Sequence, residues 1–214
     1  MANELRVAGI IAAIVLSSVL SQTQTTSASS AHSLSPEASF ARLHSRVDVE
    51  RVGDLSTATL AGKYSSSPDE LLKKVVPFSG NYLYLFPDGS YLYLFWSDIP
   101  PETIQDKGHW TTSQGQVRLA SDPDITWRTG VERHYLLVRR RSHPQEILAI
   151  GMEHNIPYFA KNADRDPEFQ LLIGSMMQVS RISSAESNQL KEKLLHDAWC
   201  PEFYLKQNGR PSKK

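Results

Sequence analysis

The run from Asn81 to Trp96, NYLYLFPDGSYLYLFW, constrains the fold more than any other stretch of the chain. Two aromatic–aliphatic segments flank Pro87-Asp88-Gly89, where proline presets φ for a type I turn and glycine accepts the left-handed conformation that closes it. With Phe86 opposite Ser90, Tyr84 faces Leu92 and Tyr82 faces Leu94, while Leu85 faces Tyr91 and Leu83 faces Tyr93. Neighbouring side chains on a strand point to opposite faces, so both faces of this hairpin are apolar or aromatic. A hairpin with one wet face alternates apolar with polar residues, and this one does not. One face must meet the main core. The other needs a cover from a helix, a loop or a partner.

The flanking segments extend the same pattern. A turn at Gln114-Gly115 folds Gly108–Leu119 into a second hairpin, pairing Thr112 with Val117 and Trp110 with Leu119. Asp122-Pro123-Asp124 breaks the chain before a short strand at Ile125–Arg128, and a longer strand follows at Arg133–Arg140. Ser142 opens S-x-x-Q with Pro144 in the first turn, a helix-start signal that reads 143–154 as a short helix; EILAIGM within it suits a strand equally. Residues 157–161 and 169–181 read as further strands. Ser35 and Pro36 start a short helix over 36–47, with Phe40, Leu43 and Val47 on one stripe. The capping box Ser183-Ser184-Ala185-Glu186 starts a C-terminal helix at 184–198, whose stripe of Leu190, Leu194, Leu195 and Ala198 suits it to cover the open hairpin face. Short strands in hairpin succession with few helices predict a mainly β protein: a small antiparallel β-barrel or curled sheet with peripheral helices.

Ahead of this body, Val7–Leu20 carries no charge over about fourteen residues, a length that suits a signal-peptide core and falls short of a membrane span. Residues 1–21 read as a signal peptide cut near Ser21, with release to the periplasm or exterior. If the cut is not made, the segment is a membrane anchor. Residues 22–35 are nearly all Ser, Thr, Gln and Ala and read as a disordered spacer. Residues 36–214 are expected to form one β-rich domain. The chain has 23 basic and 23 acidic residues, so it lacks the positive field that non-specific nucleic-acid binding requires. Its single cysteine, Cys200, excludes an intrachain disulfide, and its place between Trp199 and Pro201 suggests burial.

Leu60-Ala61-Gly62-Lys63-Tyr64, Pro87-Asp88-Gly89-Ser90-Tyr91 and Gly108-His109-Trp110 resemble strand and hairpin pieces of small secreted bacterial β-barrel, lipocalin-like proteins. Trp127–Asn155, with Glu132-Arg133-His134-Tyr135-Leu136-Leu137, is similar to a segment of uncharacterised exported bacterial proteins of the same form. The resemblance covers about half of the chain. It implies the fold and export, and no activity.

No H-E-x-x-H, G-x-S-x-G, P-loop or C-x-x-C occurs, so the residues assign no catalytic group, metal ligand or cofactor. Glu153-His154 reads as a local ligand or acid–base pair, and a solvated helix end accounts for it. Asp122 and Asp124 read as turn formers around Pro123. Arg139-Arg140-Arg141 reads as a solvated strand end, since alternation points Arg140 away from its neighbours. Tyr82, Tyr84, Tyr91, Tyr93 and Trp96 are the candidate ligand-binding residues, with ordinary aromatic core as the competing reading. The preferred function is a non-enzymatic exported binding module for an apolar small molecule or an envelope protein. The alternatives are a hydrolase assembled from distant residues such as His134, His154 and Asp164, and a purely structural envelope protein.

Overall fold

The computed structural model describes residues 36–99, 101–123, 131–162 and 165–199. The signal segment, the spacer, the strand expected at 125–128, Asp124, Asp164 and Cys200 lie outside them. In chain order the elements are α1 (Pro36–His44), β1 (Val49–Arg51), α2 (Thr57–Leu60), β2 (Gly62–Ser65), α3 (Asp69–Leu72), β3 (Ser79–Leu85), β4 (Ser90–Ser97) and β5 (Thr103–Ser113). There follow β6 (Gln116–Ser121), β7 (His134–Arg140), β8 (His143–Gly151), α4 (Asn155–Asn162), α5 (Pro167–Ile173), β9 (Ser175–Arg181) and α6 (Ser184–Asp197). Strands β2 to β9 pair antiparallel in sequence order, and β9 returns to β2. The sheet is therefore a closed eight-stranded barrel, and closure leaves it no free edge. β1 is a ninth strand, added to the far end of β7. Among the described residues no helix is long and apolar enough to cross a membrane.

The β3–β4 hairpin has the register its turn dictates: Leu85 pairs with Tyr91, Tyr84 with Leu92, Leu83 with Tyr93 and Tyr82 with Leu94. Gly89 N–H donates to Phe86 O at 3.0 Å, and Gly89 sits at φ 82°, where a side chain is strained. The second hairpin pairs Trp110 with Leu119 and Thr112 with Val117.

Each face of the first hairpin meets a core of its own. Leu83, Leu85, Tyr91 and Tyr93 point into the barrel, where Tyr64, Trp110, Leu119, Tyr135, Leu137 and Met176 join them. The polar tips of this interior are satisfied: Tyr91 Oη donates to Asp106 at 2.7 Å, and Trp110 Nε1 donates to Phe86 O at 2.9 Å. Outside the barrel, Tyr84, Phe86, Leu92, Leu94 and Ile104 form a second cluster, covered by Leu190, Leu194 and Ala198 of α6. The capping box of Ser183 and Glu186 is present at the start of α6. A third cluster lies over β7, β8 and β9, where Leu136, Val138, Leu148, Ile150 and Met177 meet Ile156 and Phe159 of α4 and Leu171 and Leu172 of α5.

Three local expectations are corrected. Residues 143–151 form strand β8, the alternative that EILAIGM allowed, and not a helix, because Ile147 and Ala149 fill the barrel while Leu148 and Ile150 fill the third cluster. A strand buried on both faces carries no period-2 pattern, and the S-x-x-Q signal instead spans the end of the turn at Ser142 and the first residues of β8. Residues 157–161 belong to helix α4, where Ile156 and Phe159 share one buried face. Residues 169–173 belong to helix α5, started by Pro167 and by Asp166, whose side chain accepts from Phe169 N–H at 3.0 Å. Only Ser175–Arg181 of that expected strand is a strand.

Candidate binding site at one mouth of the barrel

The barrel has two ends. At one, the β3–β4 turn carries Asp88 against α6. Lys191 Nζ donates to Asp88 Oδ2 at 2.5 Å and to Ser90 Oγ at 3.2 Å. Burial pushes the Asp88 carboxyl up, but hydrogen bonds from Lys191 and Ser90 outweigh it and hold the group down at about 2. This contact fastens the covering helix.

The other end lies where β3, β7 and β9 begin and β2 and β8 finish. A cavity of about 200 Å³ opens there, lined by Ser66, Asn81, Tyr93, Glu132, Tyr135 and Ser175 together with Asn155, Ile173, Gly174 and Met176. No lysine or arginine lines it. Ser175 is only 3% exposed, and its Oγ has no hydrogen-bond partner. A buried hydroxyl without a partner costs about 1–3 kcal/mol, so a group that supplies the missing bond is favoured there.

Glu132, just ahead of β7, is the charged member of the lining and is buried. Its carboxylate accepts from Glu153 N–H at 2.9 Å and His154 N–H at 3.1 Å, and stands 3.3 Å from His154 Nδ1. The turn after β8 reciprocates: Glu153 accepts from Arg133 N–H at 2.9 Å and pairs with His134 Nδ1 at 2.9 Å. Gly151 makes room for this arrangement. A Cβ at that position would stand 2.3 Å from Glu132 Cγ and 2.4 Å from its Oε1. Burial pushes the Glu132 carboxyl up to about 7, and a side-chain hydrogen bond with Glu153 adds to the rise, outweighing the opposite pull of the Glu153 N–H. Burial also acts upward on Glu153, but hydrogen bonds from Glu132, His134 and the Arg133 N–H bring it below its ordinary value. The two carboxyls thus separate, one holding a proton towards neutrality and the other ionised.

No protein-family model, curated protein sequence or solved structure matches this chain. The fold and this site are therefore read from the residues alone.

The five aromatic candidates divide between the two faces of the hairpin. Tyr91 and Tyr93 lie in the barrel, and of these Tyr93 lines the mouth cavity. Tyr82, Tyr84 and Trp96 lie outside: Tyr82 stacks on Trp96 at 6.0 Å, Tyr84 stacks on Phe86 at 6.3 Å, and Lys63 Nζ sits 3.5 Å above the Tyr82 ring. His134 and His154 are brought to the same carboxylate pair, each against one glutamate. Arg139 pairs with Glu50, Arg140 with Glu146 and Arg141 with Asp48, so the arginine run is matched acid by acid. Glu132, Tyr135 and Ser175 were not singled out as site residues by sequence. The signal that finds them is strand β8: once it pairs with β7 through the Arg141-Ser142 turn, residue 132 falls beside 153 and 154.

Proposed function

We propose that this is an exported, non-enzymatic binding barrel that takes a small polar molecule at its mouth. One observation carries the reading: the partnerless Ser175 hydroxyl, nearly inaccessible, lines a cavity beside the buried Glu132. Pockets that orient small molecules combine an apolar wall with a few placed polar groups. Here Tyr93, Tyr135 and Met176 supply the wall, and Ser175, Asn81 and Glu132 supply the polar groups. An apolar guest deeper inside is disfavoured, because the Tyr64, Tyr91 and Trp110 side chains already fill the barrel. The hydrogen-bonded glutamates hold turn 152–154 in place, which accounts for them without a reaction.

An envelope-protein partner is the second reading. It is favoured by Val76, Phe78 and Ile99, each at least three-quarters exposed, with Asp98 N–H donating to Phe78 O between them at 3.3 Å.

A thermal-shift screen of small polar compounds tests the first reading. Compounds that stabilise the native chain should lose their effect in Ser175→Leu, which fills the cavity, and weaken in Glu132→Gln. Stabilisation that survives both substitutions unchanged would refute a mouth site.

A further inference from the structure

Beside the cavity, Glu132, Glu153 and His154 each place one donor atom so that all lie within 4.8 Å of one another. We propose that these three side chains bind a divalent transition-metal ion of the zinc class. The inference goes beyond the mouth-binding reading, since an ion can bind here whether or not the cavity takes an organic molecule.

Distances support it first. Two ligands at about 2.0–2.1 Å on a tetrahedral ion stand roughly 3.3–3.4 Å apart. His154 Nδ1 and Glu132 Oε1 are separated by 3.3 Å, which is long for a hydrogen bond and close to that edge. Glu153 lies on the same exposed turn as His154, with its donor atom already within 4.8 Å of the other two.

The surroundings support it second. Ligating carboxylates are themselves held by outer hydrogen bonds, and both glutamates are. Backbone N–H groups of Glu153 and His154 orient Glu132, and the Arg133 N–H with His134 orients Glu153. Gly151 leaves a space for the Glu132 carboxylate that any Cβ would fill. Among the described residues no lysine or arginine side chain pairs with either glutamate.

Donor chemistry selects the class. One imidazole and two carboxylates suit zinc and its neighbours, whereas magnesium and calcium favour all-oxygen sets. Three protein ligands leave a coordination position for water or a guest molecule. The partnerless Ser175 hydroxyl lines the cavity that Glu132 also lines, so the polar interior next to this position has unmet hydrogen-bonding capacity. His154 is largely exposed, which gives the ion a path from solvent.

The test is isothermal titration calorimetry of the untagged full chain, stripped with EDTA and dialysed, with zinc chloride and separately with magnesium chloride. The expected result is saturable zinc binding near one ion per chain, weakened by about tenfold or more in both His154→Ala and Glu153→Gln. His143→Ala, at the start of β8 and the far end of that strand from the site, should bind as the native chain does. Magnesium should give no saturable heat. Absent zinc saturation, unchanged affinity in His154→Ala and Glu153→Gln, or equal affinity for magnesium would each overturn the site. His154 and Glu153 lie at the surface, so circular dichroism of the two variants should match the native chain and keep the comparison interpretable.

Discussion

The two ends of the barrel use acidic residues in opposite ways. At the turn end, Asp88 meets a lysine, and the contact pushes its carboxyl down. At the mouth, Glu132 meets another glutamate and a buried environment, and its carboxyl is pushed up. The first arrangement fastens a helix and is complete within the protein. The second holds two acids together with histidines, and no described lysine or arginine, against them, next to a hydroxyl with no partner. Charge that the fold has already neutralised is scaffold; charge and polarity it leaves unmatched are where a ligand gains most.

The largest expected effect comes from filling the space each end reserves. Gly151→Ala drives a methyl into the Glu132 carboxylate at 2.3–2.4 Å and should destabilise the chain by about 3 kcal/mol in urea unfolding. Gly89→Ala meets nothing closer than 3.8 Å, so only the strain of φ 82° acts, about 1–2 kcal/mol. Equal losses at the two glycines would remove the claim that the mouth is sterically tuned around Glu132.

Glu132→Gln separates the ends by pH. In the native chain the folded state keeps the Glu132 proton up to about 7, while the unfolded chain releases it near 4.5. Between those values the folded state binds more protons, so this group's contribution to stability falls as pH rises and levels off above about 7. The loss across that window is at most on the order of 3 kcal/mol. Glutamine keeps a carbonyl for the Glu153 and His154 N–H groups, and its amide can donate to Glu153. The variant should therefore lose the decline and match or exceed the native chain at pH 8. Chemical denaturation at pH 5, 6, 7 and 8 checks this.

Lys191→Ala should have the smallest effect, about 0.5–1 kcal/mol at neutral pH, because the pair with Asp88 is partly solvated. Its signature runs the other way in pH. A depressed carboxyl stabilises above its ordinary value of 3.8, and that stabilisation is lost as pH falls towards about 2. Acid unfolding of native and variant chains should converge in that range.

The same contrast explains what the sequence could disclose. The turn end is local. Pro87-Asp88-Gly89 sets a register that the neighbouring residues obey, and the Ser183–Glu186 box starts the helix that covers it. The mouth is assembled from residues far apart in the chain, with Ser66, Asn81, Tyr93, Glu132 and Ser175 meeting only after closure. Strand β8, which brings Glu153 and His154 to Glu132, is apolar on both faces and so shows no strand period. Helices α4 and α5 are too short for their stripes to stand out from a strand of the same composition. The aromatic residues that drew notice by number belong mostly to the barrel interior and to the face under α6, where they pack.

The central claim is that small polar ligands bind at the mouth of the barrel. An NMR titration of the ¹⁵N-labelled chain with small polar fragments measures it directly. The account predicts amide shifts confined to the neighbourhood of Asn81, Glu132, Glu153 and Ser175, with the Asp88 turn and α6 unmoved. Shifts centred on Val76, Phe78 and Ile99, or on the Asp88 end, would contradict it.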